Sequence, residues 1–275
     1  MRHFTLKLNE LYPAIGEYEC TLTAYLPDNS PEIEPERRRP AFLVLPGGGY
    51  RFCSARESEP VALRLVGQGY AAFVLQYSTA GDSAAKFPTQ LLQACHAVKH
   101  IKDNAPDFHV APEKVFAIGF SAGGHLCASL GLSYDSERVR KAMPDYEKAR
   151  VAAIVPCYPV VTGGEYAHRG TFDNLTPDSA LLPELSLENA VTKAAPPAFI
   201  WHTADDGTVP VMNSILLAKA YAENNVPFEL HIFEKGAHGL SLCDAATAPP
   251  GNPSLINPDA AEWFGLMLNF VKRAV

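Results

Sequence analysis

The sequence predicts an α/β fold: a mostly parallel central sheet with helices on both faces. Three observations carry that reading. Short, near-continuous apolar runs at Ala41–Leu45, Ala71–Gln76 and Val115–Ile118 read as strands covered on both sides. Segments with helical periodicity separate them, and a strand, helix, strand order builds parallel βαβ units. Glycine-rich turns stand directly after two of the runs, at Gly47-Gly48-Gly49 and at Gly119-Phe120-Ser121-Ala122-Gly123.

Taken in order, Thr5–Leu8 and Cys20–Leu26 alternate polar and apolar positions with Gly16 between them, which predicts an antiparallel pair at the sheet edge. Residues 27–40 form a Pro-, Glu- and Arg-rich connection with nothing to bury, and its basic run Arg37–Arg39 is expected as a solvated loop. Ala41–Leu45 is the first fully buried strand. It ends at three consecutive glycines, whose entropic cost implies a close approach of main chain there, with a flexible turn as the plainer alternative. Glu59–Val66 reads as a helix closed by Gly67 and Gly69, and Ala71–Gln76 as the next strand. Leu91, Leu92, Cys95, Val98 and Ile101 recur at helical spacing within Pro88–Lys102 and predict an amphipathic crossover. Lys114–Leu130 then reads as strand, sharp turn and helix, and Val151–Val155 as a further strand. Residues 160–196 are irregular, with Gly163-Gly164, Asn174 and several prolines; they are expected either to cover the site as a small cap or to run over the surface. Ala198–Trp201 resumes the sheet, Met212–Ala222 is helical, Phe228–Phe233 is the last strand, and Ala260–Val271 is an amphipathic closing helix. With no repeat, low-complexity tract or long linker, residues 1–275 read as one domain carrying 160–196 as an insertion.

Composition narrows the function. A chain of 275 residues can bury one sizeable core, and 47% hydrophobic against 19% charged residues is the balance of a folded, soluble protein. A net charge of −7 argues against nucleic acid or an anionic lipid surface as partner, since both need clustered Lys and Arg. No stretch approaches the roughly 18 apolar residues of a membrane helix, and the opening MRHFTLKLNELYP has no secretory h-region. Cys20, Cys53, Cys95, Cys127, Cys157 and Cys243 lie far apart, several of them in apolar runs; buried reduced thiols and a cytoplasmic location are expected. Neither H-E-x-x-H nor G-x-G-x-x-G occurs, so neither a metal nor a cofactor is expected. Association into a homo-oligomer stays open.

Gly119 and Gly123 flank Ser121 at minus two and plus two, the spacing of a nucleophile elbow, where the serine sits on a strained turn and its neighbours must lack bulk. The helix after it would aim N–H groups at an anion forming beside the hydroxyl. A phosphate-binding turn or an ordinary strand-to-helix turn can share the pattern. A serine hydroxyl needs a base, and the base needs a partner that fixes its tautomer. Downstream, His202-Thr203-Ala204-Asp205-Asp206-Gly207-Thr208-Val209-Pro210 follows one strand and Gly236-Ala237-His238-Gly239 another. Of the histidines, only His238 follows these acids in a glycine-flanked loop. His125 is expected to pack or hydrogen-bond beneath the elbow and His202 to order its own loop. His96 and His100 fall on a helix, His231 on a strand, and His3, His109 and His168 in loops. Arg56 and Glu57 are expected either as an ion pair holding the glycine loop or as exposed side chains.

Five motifs taken together mark a family: PGGGY at Pro46–Tyr50, SARESEPVA at Ser54–Ala62, GFSAGGH at Gly119–His125, HTADDGTVP at His202–Pro210 and GAHG at Gly236–Gly239. From about Ala41 onward the chain resembles the α/β-hydrolases of the esterase and acetyl-xylan-esterase-like branch (BD-FAE), relatives of prolyl oligopeptidase and dienelactone hydrolase. The resemblance implies the α/β-hydrolase fold and the chain order Ser121, Asp206, His238 for a catalytic triad. The family pattern H-G-x-x-D-x-x-V-P puts the acid at Asp206, three residues before Val209. Thr203 stands where glycine is usual, and an exchange of roles between Asp205 and Asp206 stays open. Pro46 replaces the first residue of the family's His-Gly-Gly-Gly. The implied oxyanion donors are backbone N–H groups, of Gly48 or Gly49 and of Ala122, so that replacement does not remove them; each is worth on the order of 3 kcal/mol in the transition state.

The implied activity is that of a serine esterase forming an acyl-enzyme on Ser121, with a small-molecule ester as substrate and acetylated sugars foremost. Residues 160–196 offer little apolar sequence to house a long tail, which predicts short acyl groups. The same constellation would serve peptide or amide cleavage, as in the prolyl oligopeptidase relatives, or persist in a binding scaffold without catalysis.

Overall fold

The computed structural model describes residues 1–81 and 83–274. Its centre is an eight-stranded sheet, and the order of the strands explains where the functional loops gather. Strand β1 (Arg2–Lys7) pairs antiparallel with β2 (Thr21–Leu26), which pairs antiparallel with β4 (Ala71–Gln76). From β4 the sheet continues in parallel through β3 (Arg39–Leu45), β5 (Val110–Phe120), β6 (Ile154–Cys157), β7 (Ala198–Thr203) and β8 (Phe228–Phe233). This is the α/β-hydrolase fold. Parallel strands end at one edge, so the turns after β3, β5, β6, β7 and β8 open toward the same side, where ligands bind in open α/β sheets.

The apolar runs form strands because both faces are covered. In β3, Leu43 and Leu45 belong to the buried cluster on one face of the sheet, which takes in residues of the helices Thr89–Asp103, Ala122–Ser133 and Met212–Glu223. Phe42 and Val44 belong to the cluster on the opposite face, with residues of Glu59–Val66 and Trp263–Arg273. Each Leu or Phe fully buried in this way contributes about 2 kcal/mol against the entropy of ordering the chain. Trp201 on β7 and Trp263 at the start of the last helix stack at 5.2 Å between ring centroids and 14° between planes, both fully buried.

Most predicted elements stand, and the exceptions have physical causes. Arg39 is buried at the start of β3, where its guanidinium donates to Asn29 Oδ1 and the Asp28 carbonyl, so the basic run is not wholly a solvated loop. His3 lies in β1, not in a loop. The strand predicted at Val151–Val155 is observed at Ile154–Cys157 and passes through Pro156, which stands opposite Gly119. A proline normally ends a ladder. Here its missing N–H falls on the β7 side, where pairing holds at Ile154 with Ala198 and Cys157 with Trp201. The closing helix begins as a short turn, Pro258–Ala261, and resumes at Trp263–Arg273. Among the described residues no disulfide joins any of the six cysteines; Cys53 is half-buried and the other five are buried. Among the described residues no helix is long and apolar enough to cross a membrane.

Candidate active site

Ser121 stands between β5 and the Ala122–Ser133 helix at φ 54°, ψ −117°, a conformation that L-residues rarely adopt. The flanking glycines allow it. A Cβ on Gly119 would lie 2.0 Å from the Gly123 carbonyl oxygen, and one on Gly123 would lie 2.1 Å from that of Leu45. Strand end and helix start are therefore pressed together at backbone distance. The elbow is pinned from both sides, since the Ser121 N–H donates to Cys157 O (3.0 Å) and the Val160 N–H donates to Ser121 O (3.1 Å).

The loops after β7 and β8 bring the other two residues to it. The Ser121 hydroxyl donates to His238 Nε2 at 2.8 Å, and His238 Nδ1–H donates to Asp206 Oδ2 at 2.6 Å. Asp206 is nearly buried and saturated: its Oδ1 accepts from the N–H groups of Thr208 (2.8 Å) and Val209 (2.9 Å), and His202 Nε2 lies 3.2 Å from Oδ2. Burial pulls its carboxyl upward, but the hydrogen bonds from His202 and His238, the charge of His238 and the Val209 N–H outweigh it and hold the group well below the usual carboxylate range. His202 is fixed in turn by Ser214 Oγ (2.8 Å) and the Val209 carbonyl (3.0 Å), which orders the acid loop. The neighbouring Asp205 accepts from the Gly236 N–H at 2.7 Å and so ties the acid loop to the histidine loop without touching the imidazole.

The glycine loop after β3 turns its carbonyls inward on itself. Gly47 O accepts from Ser54 N–H, Gly48 O from Arg51 N–H, and Gly49 O from Asn174 Nδ2 at 2.8 Å. Because a trans peptide points N–H opposite to C=O, the N–H groups of Gly48 and Gly49 face away from those partners. Among the described residues neither they nor the Ala122 N–H meets a protein acceptor. Gly48, Gly49 and Ser121 line one cleft of about 430 Å³, together with His168, Asn174 and His238. A larger groove of about 920 Å³ lies elsewhere, between the Glu59–Val66 helix and β2 and β4; it contains none of these residues. Among the described residues no three His, Cys, Asp or Glu side chains group as metal ligands would.

The BD-FAE family model matches residues 25–221. The chain belongs to the BD-FAE family. The endo-1,4-beta-xylanase B of Butyrivibrio fibrisolvens is 37% identical over 75% of this chain and 33% of its own length. The acetylxylan esterase of Xylanibacter ruminicola is 29% identical over 88% of this chain and 46% of its own. The chain thus spans a third to under half the length of these curated relatives. Among solved structures, the carboxylesterase Cest-2923 of Lactobacillus plantarum WCFS1 superposes with a TM-score of 0.87 at 30% identity, covering 99% of this chain and 98% of that one. The acetyl ester-xyloside bifunctional hydrolase of Caldicellulosiruptor lactoaceticus superposes at 0.83 and 35% identity, covering 99% and 96%.

Several residues around the candidate site have contacts that the sequence pattern alone does not assign. His168 and Asn174 reach the cleft from the irregular insertion, on either side of a short helix, Arg169–Leu175, held by the burial of Thr171, Phe172 and Leu175. Tyr158, just past β6, sets its ring edge-on to His238 at 5.3 Å. Arg56 and Glu57 do not pair with each other: Arg56 donates to the carbonyls of Gly239 and Thr247, whereas Glu57 is buried and accepts from Gly47 N–H and the Tyr158 hydroxyl. His125 packs under the elbow as expected, between the Tyr50 hydroxyl and the Leu185 carbonyl (2.9 Å each).

Proposed function

We propose that this chain hydrolyses short-chain carboxylic esters, acetyl esters of carbohydrates foremost, through an acyl-enzyme on Ser121. The supporting observation is the unbroken run of hydrogen bonds Ser121–His238–Asp206 opening into a small cleft beside unpaired backbone N–H groups. His238 takes the hydroxyl proton as Ser121 Oγ attacks the ester carbonyl, and Asp206 stabilises the imidazolium so formed. The negative oxygen of the tetrahedral intermediate is held by the N–H groups of Ala122 and of Gly48 or Gly49. His238 then gives its proton to the departing alcohol, and water, deprotonated by the same imidazole, releases the acid and frees Ser121.

The walls of the cleft support this substrate class. About 430 Å³ is at the small end for a ligand pocket, which supports short acyl groups over long ones. Asn174, His168 and Thr208 supply polar groups at the rim, and Phe52, 55% exposed, offers a flat apolar ring next to them, on which the C–H face of a sugar can lie. Residues 160–196 act here as a partial cap within a single domain. The free buried thiols suit a reducing compartment such as the cytoplasm.

The test is a panel of p-nitrophenyl acetate, longer p-nitrophenyl alkanoates, acetylated xylo-oligosaccharides and aminoacyl amides, run on the native chain and Ser121→Ala. The expected result is turnover that favours acetyl groups and vanishes in the variant. Undiminished turnover by Ser121→Ala would refute the nucleophile, and a preference for amides would transfer the same residues to a peptidase.

A further inference from the structure

The carboxyl group of Glu57 is buried beside the site, yet it has no part in the acyl-transfer steps above. It accepts two hydrogen bonds, both from neutral donors: the Gly47 N–H at 2.8 Å and the Tyr158 hydroxyl at 2.6 Å. An ionisable group this buried, whose hydrogen bonds come from neutral donors, carries a solvation penalty that packing alone does not demand. The two partners lead to the two halves of the chemistry. Gly47 begins the glycine loop, and capture of its N–H by Glu57 fixes the peptide that precedes Gly48. Tyr158 leads to the histidine loop: its hydroxyl accepts from the Ser241 N–H at 2.9 Å, and its ring forms one wall of His238.

The neighbouring residue repeats the link from the other side. Arg56 Nη2 donates to Gly239 O at 2.7 Å, and the Ser241 hydroxyl donates to Arg56 O at 2.8 Å, so that Arg56 holds the segment on either side of Leu240. The backbone is strained at two of the points so joined, Tyr158 and Ser241, and at Tyr50 and Ser121 in the neighbouring turns: all four have positive φ (35°, 54°, 55° and 54°) and none is glycine. Such residues persist only where their surroundings over-determine them, and they gather where geometry is functional.

We propose that Glu57 and Tyr158 are positioning residues that lock the glycine loop and the histidine loop into one rigid unit, so that the oxyanion donors and the imidazole keep a fixed relation to Ser121. The proposal rests on the esterase reading given above. A carboxylate is suited to the task because its two oxygens accept independently, one from each loop, and the Tyr158 hydroxyl passes the connection on by donating to Glu57 while accepting from Ser241.

The test uses the full chain with p-nitrophenyl acetate, with kcat normalised to active sites titrated by a fluorophosphonate, on Glu57→Gln, Tyr158→Phe and the double variant. Glutamine keeps the shape but presents an amide N–H₂ to a hydroxyl that must donate; phenylalanine removes only the hydroxyl. Each single variant is expected to lose about 10- to 100-fold in kcat, the scale set by small misplacement of reacting groups, while KM changes by less than about threefold. The double variant is expected to lose no more than the worse single one, because both act through one chain of contacts. A purely structural role would lower the thermal midpoint and the titratable fraction and leave kcat per site unchanged. Values of kcat per site within about threefold of wild type, or losses that multiply in the double variant, would overturn the proposal. Tyr158→Phe decides it alone if Glu57→Gln does not fold. Ser121→Ala in the same assay keeps the two readings apart: inactive Ser121→Ala with wild-type-like Glu57→Gln and Tyr158→Phe sinks only the positioning role, whereas active Ser121→Ala sinks the esterase reading itself.

Discussion

At the scale of single residues, Ser121 shows how a sequence pattern becomes a mechanical constraint. Its backbone stores strain of the order of 1–3 kcal/mol, and the surrounding glycines permit the close packing that maintains it. Gly123→Ala would push a methyl group into the carbonyl oxygens of Leu45 and Pro46, at 2.1 and 2.3 Å, which no rotamer change can relieve. A loss of at least about 1–3 kcal/mol is expected in urea denaturation, together with loss of turnover. Asp206 makes a prediction about pH. Its carboxyl is depressed, so the stability it contributes is fully present above the ordinary carboxylate range and is lost only as pH falls through its lower folded value. It therefore adds no proton of its own to the acid limb of kcat/KM, which is expected to count a single proton. Asp206→Asn should lower kcat by on the order of 10⁴-fold through the wrong tautomer. A limb of slope two, or a mild effect of the substitution, would point to a different base.

At the scale of elements, the strands were legible because burial on both faces leaves a mark in composition, and the elbow because three residue types at fixed spacing leave one in pattern. The Arg169–Leu175 helix left neither. It is seven residues long, too short for its own periodicity to register, and it is held by contacts with distant parts of the chain, including the bond from Asn174 to Gly49. Glu57 illustrates the same limit, since a glutamate next to an arginine reads as an ion pair or as surface, and neither reading contains its bonds to Gly47 and Tyr158. The loop that carries Phe52 yields a further expectation. Phe52→Ala should raise KM for acetylated xylo-oligosaccharides severalfold while leaving p-nitrophenyl acetate unaffected, because only the sugar would use the ring. Equal effects on both substrates would make Phe52 a structural part of the glycine loop.

At the scale of the whole molecule, the packing against the sheet sets an acid limit. Burial lowers the His125 imidazole from 6.5 to about 4, although its bond to the Leu185 carbonyl works the other way. Between those values the unfolded chain binds a proton that the folded chain refuses, so stability falls as pH drops, by up to about 3 kcal/mol at full effect. His96 and His100 are shifted in the same direction, mainly by burial. Urea denaturation at pH 7.5 and 4.5 should show this loss, and His125→Asn should flatten the slope even if it lowers stability at both values; an unchanged slope would assign the acid sensitivity elsewhere. The pair Trp201 and Trp263 adds something of practical use. These are the chain's only two tryptophans, and the Trp263 indole donates to the carbonyl of Ser241, in the loop that carries His238. Intrinsic emission excited at the red edge of the absorption band is thus a built-in gauge of that loop: any ligand or substitution that shifts it should register as a change in quantum yield, with no added dye.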